Sequence, residues 1–266
     1  MKKTGKINRS FDRIIKIIRK PEMVILPGNI AYAFVLSIFP AIIVLAFIIF
    51  LFNLNSNEVL NTISLNMPKD TYELIANFLS NESSNLALIT FLSGIFFASS
   101  GTKSIIVAAN TLYKVEEKNV IKMTLKSLLL VTVLMLLFMF TILILGYGTT
   151  ILDHIFKYFN LNDRTIYNLF NILKWPVSFG LIFIFTKIIY IIAPSIKVKN
   201  VNKGALFTTI GWMISTSIYS IYVANFARYD VFYGSLSSIV VLMIWIYILS
   251  YILVIGIAIN ADTYKN

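Results

Sequence analysis

The stretch FFASSGTKSIIVAAN, Phe96 to Asn110, decides how this chain is read. It places Ser99, Ser100, Gly101, Thr102 and Lys103 in a row with apolar residues on both sides. The apolar run before it, Leu86–Ala98, is 13 residues long, or about 20 Å as a helix. A bilayer core of about 30 Å is too thick for that. Unless the segment re-enters, the helix has to carry the hydroxyls and the lysine through with it.

Five further runs are long enough to cross without such help, given a need for about 20 residues each. They are Ile30–Leu54, Leu125–Leu145, Ile172–Ala193, Ala205–Phe226 and Leu236–Ala261. With the Phe96–Asn110 run included, the count is six. Charge tests that count. With the N-terminus inside, sixteen Lys/Arg fall on inner segments or, for Lys126, at the inner edge of a span, five on outer segments or, for Lys174, at the outer edge of a span, and Lys103 and Lys187 lie deeper within spans. This bias follows the positive-inside rule. If the second run did not cross, later sides would invert and the bias would weaken.

Composition agrees. The chain has 266 residues, 58% hydrophobic and 13% charged, against about a quarter charged in soluble domains. The net charge of +11 is accounted for by topology, and no basic cluster interleaved with stacking aromatics lies outside the spans to favour nucleic acid. Cysteine is absent and His154 is the single histidine, so disulfides, thiolate metal sites and multi-histidine centres are excluded. The basic start followed by an apolar run resembles a secretory signal, but its basic part is too long and its small residues precede the apolar core, so it is read as retained. There Phe11, Ile14, Ile15 and Ile18 have helical spacing opposite a basic face, ended by Pro21. That pattern predicts an amphipathic helix on an anionic membrane surface or on the protein's own inner face. In the acidic outer loop, Leu74, Ile75, Phe78 and Leu79 predict a second short surface helix.

Candidate functional residues are polar groups where lipid is expected. Pro40 lies inside the first span, where it removes a helical N–H and predicts a kink, with Ser37 near enough to help the freed carbonyl. The kink serves packing or lines a cavity. Lys103 and Lys187 either snorkel to the interface or face a wet, cytoplasm-facing pocket for an anionic group such as a phosphate head. In both spans the side chain leans outward, against the shorter route to the inner interface. Ser99 and Ser100, with Gly101 and Thr102, allow close helix packing or line a substrate path. Asn110 and Tyr113 fasten the inner end of that helix. On the fifth span Ser215, Tyr219 and Tyr222 share a face, and Arg228 and Asp230 pair at its outer mouth or belong to an interfacial belt. No phosphate loop, paired carboxylate or metal-ligand cluster is present, so catalytic, metal and cofactor sites are expected to be absent and the chain is read as no enzyme. Nor is any Asp or Glu placed within a span to carry protons.

Three segments taken together, NIAYAFVLSIFPAII, FASSGTKSIIVAANTLYKVEE and YDVFYGSLSSIVVLMIWIYILSYILVIGIAINA, resemble the YihY/BrkB family of bacterial membrane proteins. In the last of these the resemblance rests on Tyr233-Gly234-Ser235, Trp245, Tyr247, Gly256 and Asn260; Pro194 and Gly204 also fit. Where the family often carries a glutamate before the closing Asn-Ala, this chain has Ala258, so any role of that carboxylate does not transfer. The resemblance implies six spans with both ends cytoplasmic. It also brings associations with virulence, serum resistance and lipid transport, and an old ribonuclease label that these residues do not support chemically.

The expectation is therefore an all-α membrane protein of the cytoplasmic membrane. Residues 1–29 form a cytoplasmic amphipathic segment, 30–261 a six-helix transmembrane domain with both termini cytoplasmic, and 262–266 a short tail. The expected function is passage of a lipid or other anionic amphiphile, with membrane lipids and their anionic head groups as partners and no nucleic acid. The alternatives are a non-transporting scaffold that organises lipids or envelope proteins and, remotely, a ribonuclease.

Overall fold

The computed structural model of the chain describes residues 15–51 (Lys16 apart), 84–136 (Lys118 apart), 164–226 and 236–265. These form six helices: α1 Glu22–Leu51, α2 Ser84–Tyr113, α3 120–136, α4 Arg164–Ile192, α5 Asn202–Phe226 and α6 Leu236–Lys265. Among the described residues there is no strand.

Helix α2 resolves the question posed by Phe96–Asn110. It runs unbroken for 30 residues, about 45 Å at 1.5 Å each. Three of its hydroxyls are satisfied within the helix. Ser99 Oγ donates to Phe96 O (2.6 Å), Thr102 Oγ1 to Ser99 O (2.9 Å) and Thr111 Oγ1 to Val107 O (2.9 Å). A side chain that bonds back to its own helix brings no unsatisfied donor into an apolar medium, which lets one helix hold both the greasy and the polar halves. The helix then stops by geometry rather than by proline. Lys114 takes φ 57°, Val115 N donates to Asn110 O (2.9 Å) and Lys114 N to Thr111 O (3.1 Å), the paired bonds of a Schellman cap.

Neighbouring helices alternate in direction. Ser37 on α1 faces Ser100 on α2, while Gly101 approaches the earlier Ala33 and Phe34. At the shared end, the close of α2 meets the start of α3 and the residues just past α4, and the start of α5 meets the close of α6. The buried apolar cluster sits at this end, with Met23 and Ile30 of α1, Ile105 and Ile106 of α2, Leu130 of α3, Ile189 of α4 and Val254 and Ile257 of α6. The α5–α6 crossing is tightest at Gly204 and Gly256, where a Cβ on Gly204 would run into Gly256 O and the Asn260 side chain.

Two windows among the described residues are long and apolar enough to cross a membrane: Trp175–Ile192 and Val240–Tyr264, with mean hydropathies of 1.9 and 2.7. Only 17% and 33% of them is buried. Apolar side chains left outward at this density need an apolar surround.

Some expectations change. Helix α1 begins at Glu22, not at Ile30, and α6 runs to Lys265, so most of the expected 262–266 tail is helical. Helix α1 continues through Pro40. Ser37 Oγ donates to Ala33 O (2.6 Å) rather than to the Leu36 carbonyl that Pro40 deprives of its donor, because back-bonding four residues is the shorter reach. Ahead of α1, Arg19 N donates to Ile15 O, the end of a turn that stops before Pro21. Phe11 and Ile14, the 74–79 surface helix, His154, Arg228 and Asp230 lie outside the described residues.

Candidate functional site

Two polar groupings lie on α2. The first is a hydroxyl seam halfway along it. Ser37 Oγ and Ser100 Oγ are 3.2 Å apart, joining α1 to α2, and Thr102 Oγ1 also donates to Ser127 O of α3 (2.8 Å). Ser37, Ser99 and Thr102 are buried, whereas Ser100 is exposed and Lys103 and Ser104 are half-buried. The structure thus brings Ser37 to Ser100, with Ser99 and Lys103 near Ser100 in sequence only. Lys103 and Lys187 have no hydrogen bond or ion pair among the described residues. Lys187 stands half-buried on α4, seven residues before Pro194.

The second grouping is a clasp at the shared helix end. Pro194 stops α4, so the Pro194 carbonyl and the Ser195 N–H lose their helical partners. Asn110 Oδ1 accepts the Ser195 N–H (2.8 Å), and Asn110 Nδ2 donates to Ser195 Oγ (3.1 Å). Lys126 Nζ donates to Pro194 O (2.9 Å) and to Ser195 Oγ (3.3 Å). The Ser195 hydroxyl thus accepts from both Asn110 and Lys126, which fits its two acceptor positions. The ammonium of Lys126 also faces the negative end of the α4 dipole. Asn110 was legible as a fastener from its place at the helix end. Lys126 and Ser195 were not, because a lysine and a serine near an interface have no distinguishing spacing.

The Glu117 carboxyl is held below the usual carboxylate range, first by the Ser195 hydroxyl and then by the Asn119 backbone N–H and the nearby Lys122 and Lys126. Lys122 Nζ lies 3.6 Å from Glu117 Oε2.

Beneath the clasp is a void lined by Ala109, Tyr113, Tyr190, Ala193, Pro194 and Ile257, with no room for a water molecule. Neither Lys103 nor Lys187 borders it. Tyr190 OH pairs with Thr208 Oγ1 (2.5 Å) and donates to Leu253 O (3.0 Å), knitting α4, α5 and α6. Tyr113 fastens its helix by ring packing, edge-on to Tyr264 (5.8 Å), while its hydroxyl is buried with no hydrogen-bond partner among the described residues. Asn260 Oδ1 accepts Gly204 N–H (2.8 Å). Farther along, Tyr219 stacks on Trp245 (4.9 Å) and Trp212 Nε1 donates to Leu249 O (2.9 Å), so this face of α5 serves packing against α6. Among the described residues no three of His, Cys, Asp and Glu come together as a metal site.

Comparison with known proteins gives a consistent picture. The profile of the family described as Virulence factor BrkB matches residues 17–266. The ribonuclease-like protein YfkH of Bacillus subtilis is 30% identical over 246 residues, covering 90% of this chain and 89% of that protein. A UPF0761 membrane protein of Idiomarina loihiensis is 24% identical over 42% of this chain and 40% of its own length. Another, from Photobacterium profundum, is 33% identical over 28% of this chain and 24% of its own length. No solved structure matches.

Proposed function

The chain belongs to the Virulence factor BrkB family, whose relatives include UPF0761 membrane proteins, and from that premise we propose that it is a six-span protein of the bacterial cytoplasmic membrane that passes an anionic amphiphile, most simply a phospholipid, between leaflets. Both termini are cytoplasmic, and the clasped end faces the cytoplasm. One observation carries this reading. Lys103 is a half-exposed cation without a partner among the described residues, and Ser100, Ser104 and farther along Thr111 follow one face of α2 toward the clasped end.

A charge at such depth costs a few kcal/mol or more unless it meets water or a counter-charge. A phosphate head group supplies the counter-charge. The Lys103 ammonium supplies the donors for the head group, and the hydroxyl-bearing face, bonded back to its own helix, keeps the surface beside it polar while the acyl chains stay in lipid. Lys187 acts as a second attracting cation on α4. With no nucleotide-binding motif in the chain, movement runs down a gradient or is driven by a partner.

The scaffold reading draws its support from the clasped end, where Asn110 and Lys126 tie α2 and α3 to the end of α4 and the void beneath them has no room for a water molecule. The two readings separate in vesicles of phosphatidylcholine and phosphatidylglycerol carrying head-labelled phosphatidylglycerol. Transport predicts exchange between leaflets well above that of empty vesicles, with Lys103→Met and Lys187→Met together cutting it by about tenfold, roughly 1.4 kcal/mol of lost stabilisation. Exchange at the empty-vesicle rate sinks transport and leaves the scaffold.

A further inference from the structure

The connection between α4 and α5 carries a charge pattern that the transport reading does not use. Lys197, Lys199 and Lys203 fall within seven residues and all three are exposed. They are held outward because the valines between them point in: Val198 and Val201 are buried. No Asp or Glu occurs between Asp163 and Asp230, and no ion pair among the described residues involves any of the three. Asp262, two residues past the Asn260 that touches α5, already has an interaction of its own.

Below these cations the helix surface turns apolar on one stripe. Lys203, Leu206, Ile210 and Ile214 follow each other at steps of three and four, which places them on one face. The last three are 44–55% exposed. From Lys203 to Ile214 is 11 residues, about 16 Å, close to half of a core of about 30 Å. A cationic cap over an exposed apolar strip one leaflet long matches a molecule with an anionic head and acyl tails.

We propose that this face of α5 holds a resident anionic phospholipid of the inner leaflet, its phosphate at Lys199 and Lys203 with Lys197 adding charge, and an acyl chain along Leu206, Ile210 and Ile214. The inference rests on the membrane-spanning reading and not on transport. Juxtamembrane lysines attract anionic lipid by about 1 kcal/mol each, or on the order of fivefold per lysine.

The test is lipid retention by the full-length protein in nanodiscs of phosphatidylcholine with 30% phosphatidylglycerol, read by native mass spectrometry after release. The wild type is expected to retain phosphatidylglycerol over phosphatidylcholine. The variant carrying Lys197→Gln, Lys199→Gln and Lys203→Gln should lose that preference by roughly a hundredfold, and Leu206→Asn should weaken retention with the charges intact. If the triple variant does not fold, raising salt on the wild type supplies the answer, because exposed charges are screened over about 10 Å at 0.1 M; salt-independent retention overturns the proposal. So does an unchanged preference in the triple variant. Displacement by millimolar inorganic phosphate as effective as that by added phosphatidylglycerol reduces the site to a bare anion patch and overturns the acyl-chain strip. A wild type that retains phosphatidylglycerol but moves no lipid overturns transport alone.

Discussion

At the scale of single residues, Lys114 stands in a backbone position that side chains rarely take. Its φ of 57° closes the cap of α2, and an L-residue there costs about 1–2 kcal/mol that glycine does not. Glycine gives some of this back through unfolded-chain entropy, about 0.5–1 kcal/mol. Lys114→Gly is therefore expected to stabilise the protein by about 0.5–1 kcal/mol, seen as a raised unfolding midpoint in detergent; a lowered midpoint would mean that the lysine side chain outweighs the strain. Gly204 is the opposite case. Its neighbours across the α5–α6 crossing are a backbone carbonyl and the Asn260 amide, and backbone yields less readily than a side-chain tip. Gly204→Ala should cost at least about 1–3 kcal/mol and separate the pair, reported by loss of the Trp212–Leu249 contact through a shift in tryptophan fluorescence. Retention of wild-type stability would show that the crossing has slack.

At the scale of elements, the clasp turns the unpaired end of α4 into a joint between three helices. Asn110→Ala strips a partner from the part-buried Ser195 N–H and from its hydroxyl, and leaving one such group unsatisfied costs about 1–3 kcal/mol when fully buried, the lower end where water reaches it. The expected result is a drop of that size in unfolding free energy, while an exposed control such as Thr111→Ala changes little. Acid should act on the same joint. Because the Glu117 carboxyl is held below its ordinary value of 4.5, its contribution is complete above that pH and fades as pH falls through the lowered value. Unfolding midpoints followed downward from pH 6 should therefore fall more steeply for the wild type than for Glu117→Gln; parallel curves would show that Glu117 adds nothing. The elements differ in how far they could be read in advance. The continuous α2 followed from arithmetic, since 13 apolar residues fall short and the helix had to go on. Its start and stop were harder, because α1 and α6 extend past their apolar runs into polar residues that continue a helix without any change in periodicity. The clasp was out of reach, since Lys126 and Ser195 are far apart in the chain and become partners only after α3 and α4 have folded beside one another.

At the scale of the whole molecule, the alternation of helix directions makes one demand. The turn after α2, the connection from α4 to α5 and the end of α6 meet at one end of the bundle through Asn110–Ser195 and Gly204–Asn260. If α2 crosses the bilayer, all three lie on one side of it, which the proposed topology makes the cytoplasmic side. The chain contains no cysteine, so a single introduced cysteine reports without background. Glu116→Cys, Lys199→Cys and Thr263→Cys should each resist a membrane-impermeant maleimide in intact cells and react once the membrane is opened. Labelling of all three in intact cells would keep the bundle and reverse its orientation. Labelling of Glu116→Cys alone would break the agreement between the three ends, and with it the crossing by α2 on which the hydroxyl-bearing face, Lys103 and the proposed lipid path depend.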